Sequence, residues 1–483
     1  MLLLAVGGSV VSLPPVSAAE VEAGLLRWGS DAEGGAPYVF PDPERPGRLI
    51  GFEVDLAEAL AREMGLSARQ VQVDWSSLIP GLDRGDYDIA LNGIEWTAGR
   101  NRASELSFPY FIFAQQLVVR ADDASIQSFA DVQGKRVATL GATAAHQILR
   151  ETPGVDPVIY QGQVEPYRDL KLGRVDAVLL DTPIAEFYAK PDPALRYAGP
   201  SFAAGTYVIA VKKSNTGLLT RVNRGLDALL RSGKLQEIYM RWGLWNESQA
   251  RLMDRAPPQA AVARAANDSG LLRYLPLLMK GAGMTVALSV IAMALAIVAG
   301  LALCLLRLGG NPVLKPLAVG YIEVMRGTPL LLQLYVIYYG LPNIGINLDA
   351  FSAAVLGLGL NYAAYEAEIY RAGINSIPRG QTEAALSLGM TPAMIYRRVL
   401  IPQAVRVTLP PVTNDFISLF KDSSLVSIIA LVELTKTYNM LAVSSMRFLE
   451  LGVLTGILYL CMSFPLSILS TRLERRLHLA AAR

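Results

Sequence analysis

Cysteine and histidine are nearly absent from this chain of 483 residues. The two cysteines, Cys304 and Cys461, both lie inside apolar runs, and the two histidines, His146 and His478, are far apart in sequence. A disulfide framework, a zinc site of cysteine and histidine, and a catalytic Cys/His pair are therefore poorly supported. We expect no metal site.

The chain also lacks an excess of charge of either sign. It has 44 basic and 42 acidic residues, a formal net charge of +2, which leaves no basic excess of the kind that nucleic-acid binding needs. The phosphate-binding pattern G-x-x-x-x-G-K-[ST] is missing as well. The chain is therefore not expected to hydrolyse ATP itself.

Charged residues are scarce overall, at 18% of the chain against 52% hydrophobic residues, which is unusual for a soluble enzyme. The apolar excess lies in the C-terminal half. Residues 281–306 and 451–471 carry no charge and are long enough to cross a bilayer as helices. Three further apolar segments, at 317–341, 350–372 and 399–431, lie between them. The pattern predicts a domain of five membrane spans over residues 273–483.

The first residues form a separate segment. Residues 1–11 are mostly apolar and are followed by two prolines and by Val16-Ser-Ala-Ala19. This pattern is typical of a signal peptide over residues 1–19, although the usual positively charged start is missing. A short membrane anchor is the alternative interpretation.

Residues 20–245 read as an extracellular α/β domain, because short β-branched runs alternate with helical patterns. Predicted strands lie at 87–92, 116–120, 136–140, 177–180 and 207–212, and a predicted helix at 54–64 ends at Gly65. A segment rich in alanine and proline follows and predicts a linker over residues 246–272.

Polar residues follow the predicted strands, where α/β sheets usually bind ligands. Gly93, Glu95 and Arg100 follow the first strand, Thr143 follows the third, and Asp181 follows the fourth. A guanidinium suits a carboxylate, and an acid suits an ammonium group. The combination predicts a pocket for a free α-amino acid, although each residue alone is more often a cap or a surface ion pair.

Three segments of this domain resemble the extracellular solute-binding family for polar amino acids. They are IGFEVDLAEAL at 50–60, DWSSLIPGL at 74–82 and YDIALNGIEWT at 87–97. The resemblance implies a two-lobed α/β periplasmic-binding-protein fold that closes on an amino acid. It further implies that Arg100 holds the ligand α-carboxylate, Asp181 holds the α-amino group, Trp75 lies against the ligand side chain, and Gly93 and Thr143 add hydrogen bonds.

Two positions bear on ligand choice within this resemblance. Leu140 stands where sequences similar to glutamine binders have a lysine, and Glu95 stands where threonine or serine is usual. Asp31 falls where members that bind cationic ligands often place an acid, although the loop at 33–36 is one residue off the common spacing. If Asp31, Glu95 and Asp181 all face the cleft, arginine or lysine is favoured. If Glu95 points away or pairs with Arg100, glutamine or glutamate remains possible.

The C-terminal half contains a second signature, EAALSLG at 383–389, continuing through Ile401-Pro402. It resembles the EAA loop of permease subunits of ATP-binding-cassette (ABC) importers, and we assign the loop to residues 381–402. YIEVMRGTPLLLQL at 321–334 and NDFISLFKDSSL at 414–425 resemble the polar amino-acid branch of these permeases. The resemblance implies that Glu383, Ala384, Ala385 and Gly389 couple the chain to a separate ATPase.

Partners and cofactors are implied by the same resemblance. ATP and magnesium would be bound by a dimer of ATPase subunits, and this chain would hold no cofactor. One chain carries a single five-span unit, so a closed pathway would need two units, most simply a permease homodimer. The implied location is the bacterial inner membrane.

Charge predicts the orientation of the spans. Basic residues that mark the cytoplasmic side are Arg307, Lys315, Arg397, Arg398, Arg472, Arg475 and Arg476. With five spans, the binding domain then lies outside and the C-terminus lies in the cytoplasm.

Ionisable and polar residues within spans are costly and become functional candidates. Glu366 and Asn414 are expected to line a translocation cavity, whereas Lys421 and Asp422 are expected to form an ion pair.

Two other classes of protein join such a binding domain to membrane helices. In a ligand-gated channel the pore interrupts the binding domain, which is continuous here, and no TVGYG filter is present. A transmembrane sensor needs a cytoplasmic signalling domain, which is not expected after the last span. The sequence therefore predicts an amino-acid importer subunit that is not itself an enzyme.

Overall fold

The structure is a computed structural model that describes residues 24–33, 35–45, 47–254, 270–309 and 312–481, without the side chains of residues 254 and 473–481. The predicted signal peptide and most of the predicted linker lie outside the described residues.

The described strands all precede residue 212. They are β1 (Leu25–Ser30), β2 (Phe40–Pro41), β3 (Leu49–Ile50), β4 (Ser67–Gln72), β5 (Ile89–Ala90), β6 (Glu105–Arg120), β7 (Arg136–Leu140), β8 (Asp156–Tyr160), β9 (Ala177–Asp181), β10 (Leu195–Tyr197) and β11 (Phe202–Val211).

The helices among these strands and just after them are α1 (Phe52–Glu63), α2 (Leu78–Arg84), α3 (Ala98–Ala103), α4 (Ala144–Glu151), α5 (Val164–Lys171), α6 (Thr182–Tyr188), α7 (Thr216–Arg231), α8 (Lys234–Arg241) and α9 (Glu247–Ala250). The apolar half is helical in its described part: α10 (Leu275–Leu308), α11 (Leu314–Gly327), α12 (Leu330–Tyr335), α13 (Ala350–Asn375), α14 (Arg379–Ser387), α15 (Pro392–Ile395), α16 (Ile401–Asp422), α17 (Leu434–Ser445) and α18 (Phe448–Ala481).

The described residues form two compact units. The first contains residues 24–131, 162–167 and 179–254, and the second contains residues 132–161, 168–178 and 270–481.

The sheet of the first unit has parallel and antiparallel parts. Strands β4, β1 and β5 are parallel neighbours, with Leu25 opposite Ser67 and Trp28 opposite Ile89. Strand β11 then runs antiparallel between β5 and β6, and β10 pairs with the end of β6. The carboxyl ends of β1 and β5 therefore meet at one edge of the sheet, where ligand sites of α/β folds form.

Aromatic residues fill the core of the first unit. The ring of Tyr207 stacks on Phe113 and on Phe111, with centroids 4.5 Å and 5.7 Å apart. Tyr207 and Tyr110 are fully buried. Their hydroxyls need hydrogen-bond partners there, and those partners belong to the candidate site described below.

The second unit combines a small parallel sheet with the apolar helices. Strand β7 pairs with β8, with Arg136 opposite Asp156, and with the start of β9, with Val137 opposite Ala177. Among the helices, α10 and α13 pack closely because glycines face the partner helix. A Cβ atom at Gly300 would lie 2.6 Å from the Cβ of Glu366, and one at Gly359 would lie 2.7 Å from Leu295. Such small residues let helices approach closely within membranes.

Two helical segments of the described chain are both long and apolar enough to cross a bilayer, at Leu271–Leu308 and Phe448–Arg472. Helices α13 and α16 are also long, at 26 and 22 residues, but they carry several charged residues. The predicted span at 317–341 is broken, because Thr328 and Pro329 are extended between α11 and α12.

Several predicted elements change their bounds. The strand expected at 116–120 belongs to the much longer β6, whose start contains Pro109 and did not read as a strand. The strand expected at 87–92 shrinks to β5, since the backbone turns at Gly93 with φ +59°. The helix expected at 54–64 forms α1, and Gly65 follows it with φ +70°.

Candidate functional site

The site of the first unit begins at the carboxyl ends of β1 and β5. Asp31 follows β1 and Asn92 follows β5, and the backbone N–H of Asp31 donates to Asn92 Oδ1 at 2.5 Å. The Asp31 carboxylate accepts from the backbone N–H of Trp75 and from Gln72 Nε2, both at 3.2 Å. Asp31 therefore holds the short turn that carries Trp75.

Gly93 is fixed by a buried carboxylate. Its N–H donates to Glu53 Oε1 at 2.7 Å, and the hydroxyl of Tyr110 donates to the same oxygen at 2.5 Å. Burial raises the pKa of Glu53 to about 8. A Cβ atom at Gly93 would lie 2.9 Å from the ring of Tyr38, and its positive φ also favours glycine. The Gly93 N–H is thus used within the protein.

Arg100 and Glu95 form a buried pair beside Trp75. Thr97 caps α3 by accepting from the Arg100 N–H at 3.2 Å. The Arg100 guanidinium donates to the carbonyl of Glu95 at 2.8 Å and to its carboxylate at 3.4 Å. The guanidinium carbon also lies 5.3 Å from the centre of the Trp75 ring. Of the two arrangements left open by the sequence, Glu95 therefore adopts the pairing with Arg100.

Asp181 ends β9 and is held by hydrogen bonds at both carboxylate oxygens. Gln115 Nε2 donates to Oδ1 at 2.7 Å, and the hydroxyl of Tyr207 donates to Oδ2. The Tyr207 hydroxyl is in turn 2.7 Å from that of Tyr38. Two tyrosines in series therefore orient the carboxylate that we expect to bind an ammonium group.

The described residues of this cluster include two carboxylates and one guanidinium. Glu95, Arg100 and Asp181 are 4%, 5% and 8% exposed, and Glu95 forms an ion pair with Arg100. Burial and then the neighbouring Glu95 raise the pKa of Asp181, whereas hydrogen bonds and Arg100 oppose that rise. A cationic group placed here would gain both desolvated carboxylates as partners.

Thr143 lies in the second unit. It caps α4 by accepting from the His146 N–H at 3.3 Å, and its hydroxyl donates to the carbonyl of Leu140 at 2.8 Å. Both functions are local. The first unit brings together the other six predicted residues, namely Asp31, Trp75, Gly93, Glu95, Arg100 and Asp181, and their binding roles remain predictions.

Sequence reasoning missed four residues that build this site: Tyr38, Glu53, Gln115 and Tyr207. Glu53 lies inside a segment that suggested the family resemblance, yet nothing in its spacing indicates that it reaches Gly93. Tyr38 and Tyr207 are 169 positions apart, so only the folded chain shows that they act together.

The predicted coupling loop is a short, exposed helix with a defined end. Helix α14 ends in a turn in which the N–H of Met390 donates to the carbonyl of Ala385 at 3.1 Å and that of Gly389 to Leu386 at 2.9 Å. Gly389 has φ +76°, as this helix ending requires. Ala385 is buried against Ile395 and Leu400, whereas Glu383, Ala384 and Gly389 are exposed.

The two predicted cavity residues have different surroundings. Glu366 is fully buried on α13 against α10, whereas Asn414 is exposed on α16, where its amide oxygen is 3.5 Å from Ser470 Oγ. The expected Lys421–Asp422 ion pair is not among those of the described residues, and Asp422 instead accepts from the Tyr362 hydroxyl at 2.7 Å. The described part of the chain also brings no group of three or more metal-ligating side chains together.

Two family models match the chain in succession. The model of bacterial extracellular solute-binding proteins, family 3, matches residues 26–244. The model of the binding-protein-dependent transport system inner membrane component matches residues 292–479.

Relatives of known sequence match the second of these parts. The chain is 43% identical over 192 residues to the probable amino-acid ABC transporter permease protein PatM of Vibrio harveyi, covering 39% of this chain and 86% of that protein. It is 36% identical to the probable glutamine ABC transporter permease protein GlnM of Bacillus subtilis, covering 44% of this chain and 98% of that protein. It is 34% identical to the arginine transport system permease protein ArtQ of the same organism, covering 43% and 96%.

Solved structures are also similar to part of the chain. An ancestral arginine-binding protein bound to arginine is 33% identical, with a TM-score of 0.43, and the match covers 45% of this chain and 98% of that protein.

Proposed function

Because this chain belongs to the permease family of amino-acid ABC transporters and carries a family 3 solute-binding domain fused ahead of the permease, we propose that it captures a polar L-amino acid outside the cell and passes it through its own membrane domain. Members of the permease family work in the inner membrane with a separate ATPase, and they are transport subunits rather than enzymes. The chain has an α/β binding-protein domain followed by a helical permease domain, as predicted, and the five spans stay a prediction. The family membership gives no support to an ion channel.

The observation that carries the ligand proposal is the buried cluster of Arg100, Glu95 and Asp181. Arg100 is proposed to bind the α-carboxylate and Asp181 the α-ammonium group, because these partners pair opposite charges in a desolvated site. Trp75, whose ring faces the Arg100 guanidinium at 5.3 Å, is proposed to line the space for the ligand side chain.

The charged groups of the cluster favour a basic ligand. Arg100 contributes one positive charge, and Glu95 with Asp181 contributes two negative charges if both are ionised. A zwitterionic ligand without a charged side chain leaves this excess unchanged, whereas arginine or lysine neutralises it. Carboxylates in a desolvated site favour a cationic group beside them, so we propose arginine or lysine as the ligand.

Glutamine is a second candidate, and a specific contact favours it. Glu95 lies 3.4 Å from the guanidinium of Arg100, so part of its charge is already compensated. Glu95 and Arg100 then form a neutral pair, Asp181 is left to bind the α-ammonium group, and a neutral polar side chain becomes acceptable.

Calorimetric titration of the purified full chain with arginine, lysine, histidine, glutamine and glutamate tests both candidates. We expect arginine or lysine to bind most tightly and Arg100→Ala to lose measurable binding, since it leaves two buried carboxylates without their cation. Arg102→Ala, on the same short helix, is the matched control and should keep the wild-type affinity. Preference for glutamine would overturn the basic-ligand proposal, and failure of all five ligands would overturn the amino-acid assignment.

The membrane arrangement is part of the proposal. We infer five spans, with the binding domain outside the inner membrane and the C-terminus in the cytoplasm, from the apolar segments and the distribution of arginine and lysine. Two segments of the described chain have the length and apolarity of spans, which agrees with a membrane domain. ATP and magnesium are proposed to bind to the partner ATPase, and two copies of the chain are proposed to form the pathway.

A further inference from the structure

Within the second unit, a part of the binding domain contacts the permease domain through a buried polar cluster. This part, residues 132–161 and 168–178, is called the lobe segment below. Asp169 of the lobe segment is fully buried, and its Oδ2 accepts from the hydroxyl of Tyr338 of the permease at 2.5 Å. Arg174 donates to the carbonyl of Tyr338 at 3.1 Å, and its guanidinium carbon lies 4.4 Å from the centre of the Tyr338 ring.

A second arginine of the lobe segment contacts the same stretch of the permease. Arg168 donates to the carbonyl of Tyr339 and to Asn343 Oδ1, the latter at 3.2 Å. Both arginines therefore meet acceptors in the two helical turns that follow α12, Val336–Gly340 and Leu341–Ile344. The carbonyls there accept side-chain donors, as expected where a helix ends.

The Asp169 carboxylate also has hydrogen-bond partners within the lobe segment itself. Asp169 accepts from the hydroxyl of Tyr160 at 2.7 Å and from Arg174 at 2.9 Å, and both residues belong to the lobe segment. Separation of Asp169 from Tyr338 would therefore break a hydrogen bond but would not leave an isolated buried charge. An isolated buried charge is strongly destabilising. A contact of this kind can form and break repeatedly.

A second point of contact lies on α17 of the permease. A Cβ atom at Gly141 of the lobe segment would lie 3.4 Å from Met440 Cγ, so glycine permits a close approach there. Lys436, one helical turn before Met440, acts on His146 of the lobe segment. Burial, followed by the charges of Arg150 and Lys436, lowers the pKa of His146 to about 4.

We propose that these two patches, Tyr338 to Asn343 and the stretch of α17 around Met440, are the surface on which the binding domain docks, and that it docks on the permease domain of its own chain. This proposal rests on the proposed function, because docking matters only if the two domains pass a ligand between them. The binding domain thus docks on a segment of the same polypeptide, and it does so through Asp169, Arg174 and Arg168.

Cysteine cross-linking in membranes tests the proposal without any transport assay. In a chain whose own cysteines are replaced by Cys304→Ala and Cys461→Ala, Gly141→Cys and Met440→Cys should form a disulfide on mild oxidation, since the native atoms are close enough for one. The link should lie within one chain and so change gel mobility without doubling the mass. Each single-cysteine chain is a control and should not form this product. No link, or a link only between two chains, would overturn docking within the chain.

Matched variants provide the second test. Arg168→Ala and Tyr338→Phe should each lower ligand-stimulated ATP hydrolysis by roughly tenfold, the factor expected for a lost hydrogen bond to a charged group, and leave ligand affinity of the full chain unchanged. Arg150→Ala removes an exposed arginine from the same lobe segment and should preserve stimulation. Full stimulation in Arg168→Ala and Tyr338→Phe would overturn the proposal, whereas lost ligand affinity would instead count against the proposed binding function.

Discussion

At the residue scale, the two tyrosines behind Asp181 give the ligand site a property that can be measured. The Tyr207 hydroxyl donates to Asp181 and neighbours the Tyr38 hydroxyl. This hydrogen bond stabilises the ionised carboxylate and opposes the rise in its pKa that burial and Glu95 cause. Ligand ammonium binding needs the ionised form, so Tyr207 should control the pH range in which the ligand binds.

Tyr207→Phe removes this donor and should raise the pKa of Asp181 further. We expect ligand affinity at neutral pH to fall by roughly tenfold or more, as for the loss of one buried hydrogen bond to a charged group, and the pH at which binding reaches half its maximum to move upward. Tyr38→Phe leaves the bond to Asp181 in place and should shift the midpoint less. Titrations of the full chain between pH 6 and pH 9 measure both. An unchanged pH midpoint in Tyr207→Phe would show that Tyr207 only packs.

Some residues of the ligand site could be predicted from the sequence, and others could not. Arg100 and Asp181 could be chosen because strand ends collect ligand groups and because a known family places charges there. Glu95 could be chosen because it also follows a strand and departs from the usual residue of that family. The pairing of Glu95 with Arg100 could not be chosen over its alternatives, since it depends on how α3 turns after Thr97. Glu53 and Tyr207 act through contacts between distant parts of the chain, which no local pattern encodes.

At the scale of elements, the short helix α14 is the best-predicted part of the permease. The helix ends before Gly389, which has φ +76°, and Thr391 caps the next helix by accepting from the Met394 N–H at 3.4 Å. Such ends are local, so residue type suffices to predict them. The break at Thr328 and Pro329 was missed because apolar composition continues through it, although a proline was visible there.

Helix α14 exposes a surface for a partner. Leu386 and Leu388 are 51% and 83% exposed, beside the exposed Glu383. Ala385 is buried and packs against Ile395 and Leu400. Glu383→Ala should abolish ligand-stimulated ATP hydrolysis and leave ligand affinity unchanged, because it alters only the face offered to the ATPase. Gly389→Asp should have the same effect, since φ +76° disfavours a side chain and the end of the helix would shift.

Gln381→Ala is the matched control for these variants, because Gln381 is exposed on the same helix. It should retain stimulation. ATP hydrolysis by the reconstituted complex, with and without ligand, distinguishes the variants. Normal stimulation in Glu383→Ala and Gly389→Asp would remove the coupling assignment from this helix.

At the scale of the whole molecule, the fusion joins capture and passage in one polypeptide. The order of the two domains could be read from the sequence, because composition changes sharply where the apolar half begins. The number of spans stays a prediction, because α13 and α16 carry several charged residues and the segment at 317–341 is broken at Thr328 and Pro329.

Asn414 provides an argument for a second copy of the chain. Its amide is exposed on α16, in a segment that we propose to span the membrane. A polar side chain is costly against lipid and is expected to face protein or water. A second permease domain packed against this face would supply protein contacts and a water-filled path. Both are needed if the ligand pathway forms between two copies of the chain.

The dimer can be tested with two copies of the chain that carry different affinity tags and are produced together with the ATPase. We expect purification through one tag to recover the other, and Asn414→Cys, placed in the chain with Cys304→Ala and Cys461→Ala, to form a product of twice the chain mass with a short thiol cross-linker. The chain without Asn414→Cys is the control and should give no such product. Recovery of one tag alone, together with no cross-linked pair, would mean that each chain works singly or with a different permease. Asn414 would then need another source of polar surroundings.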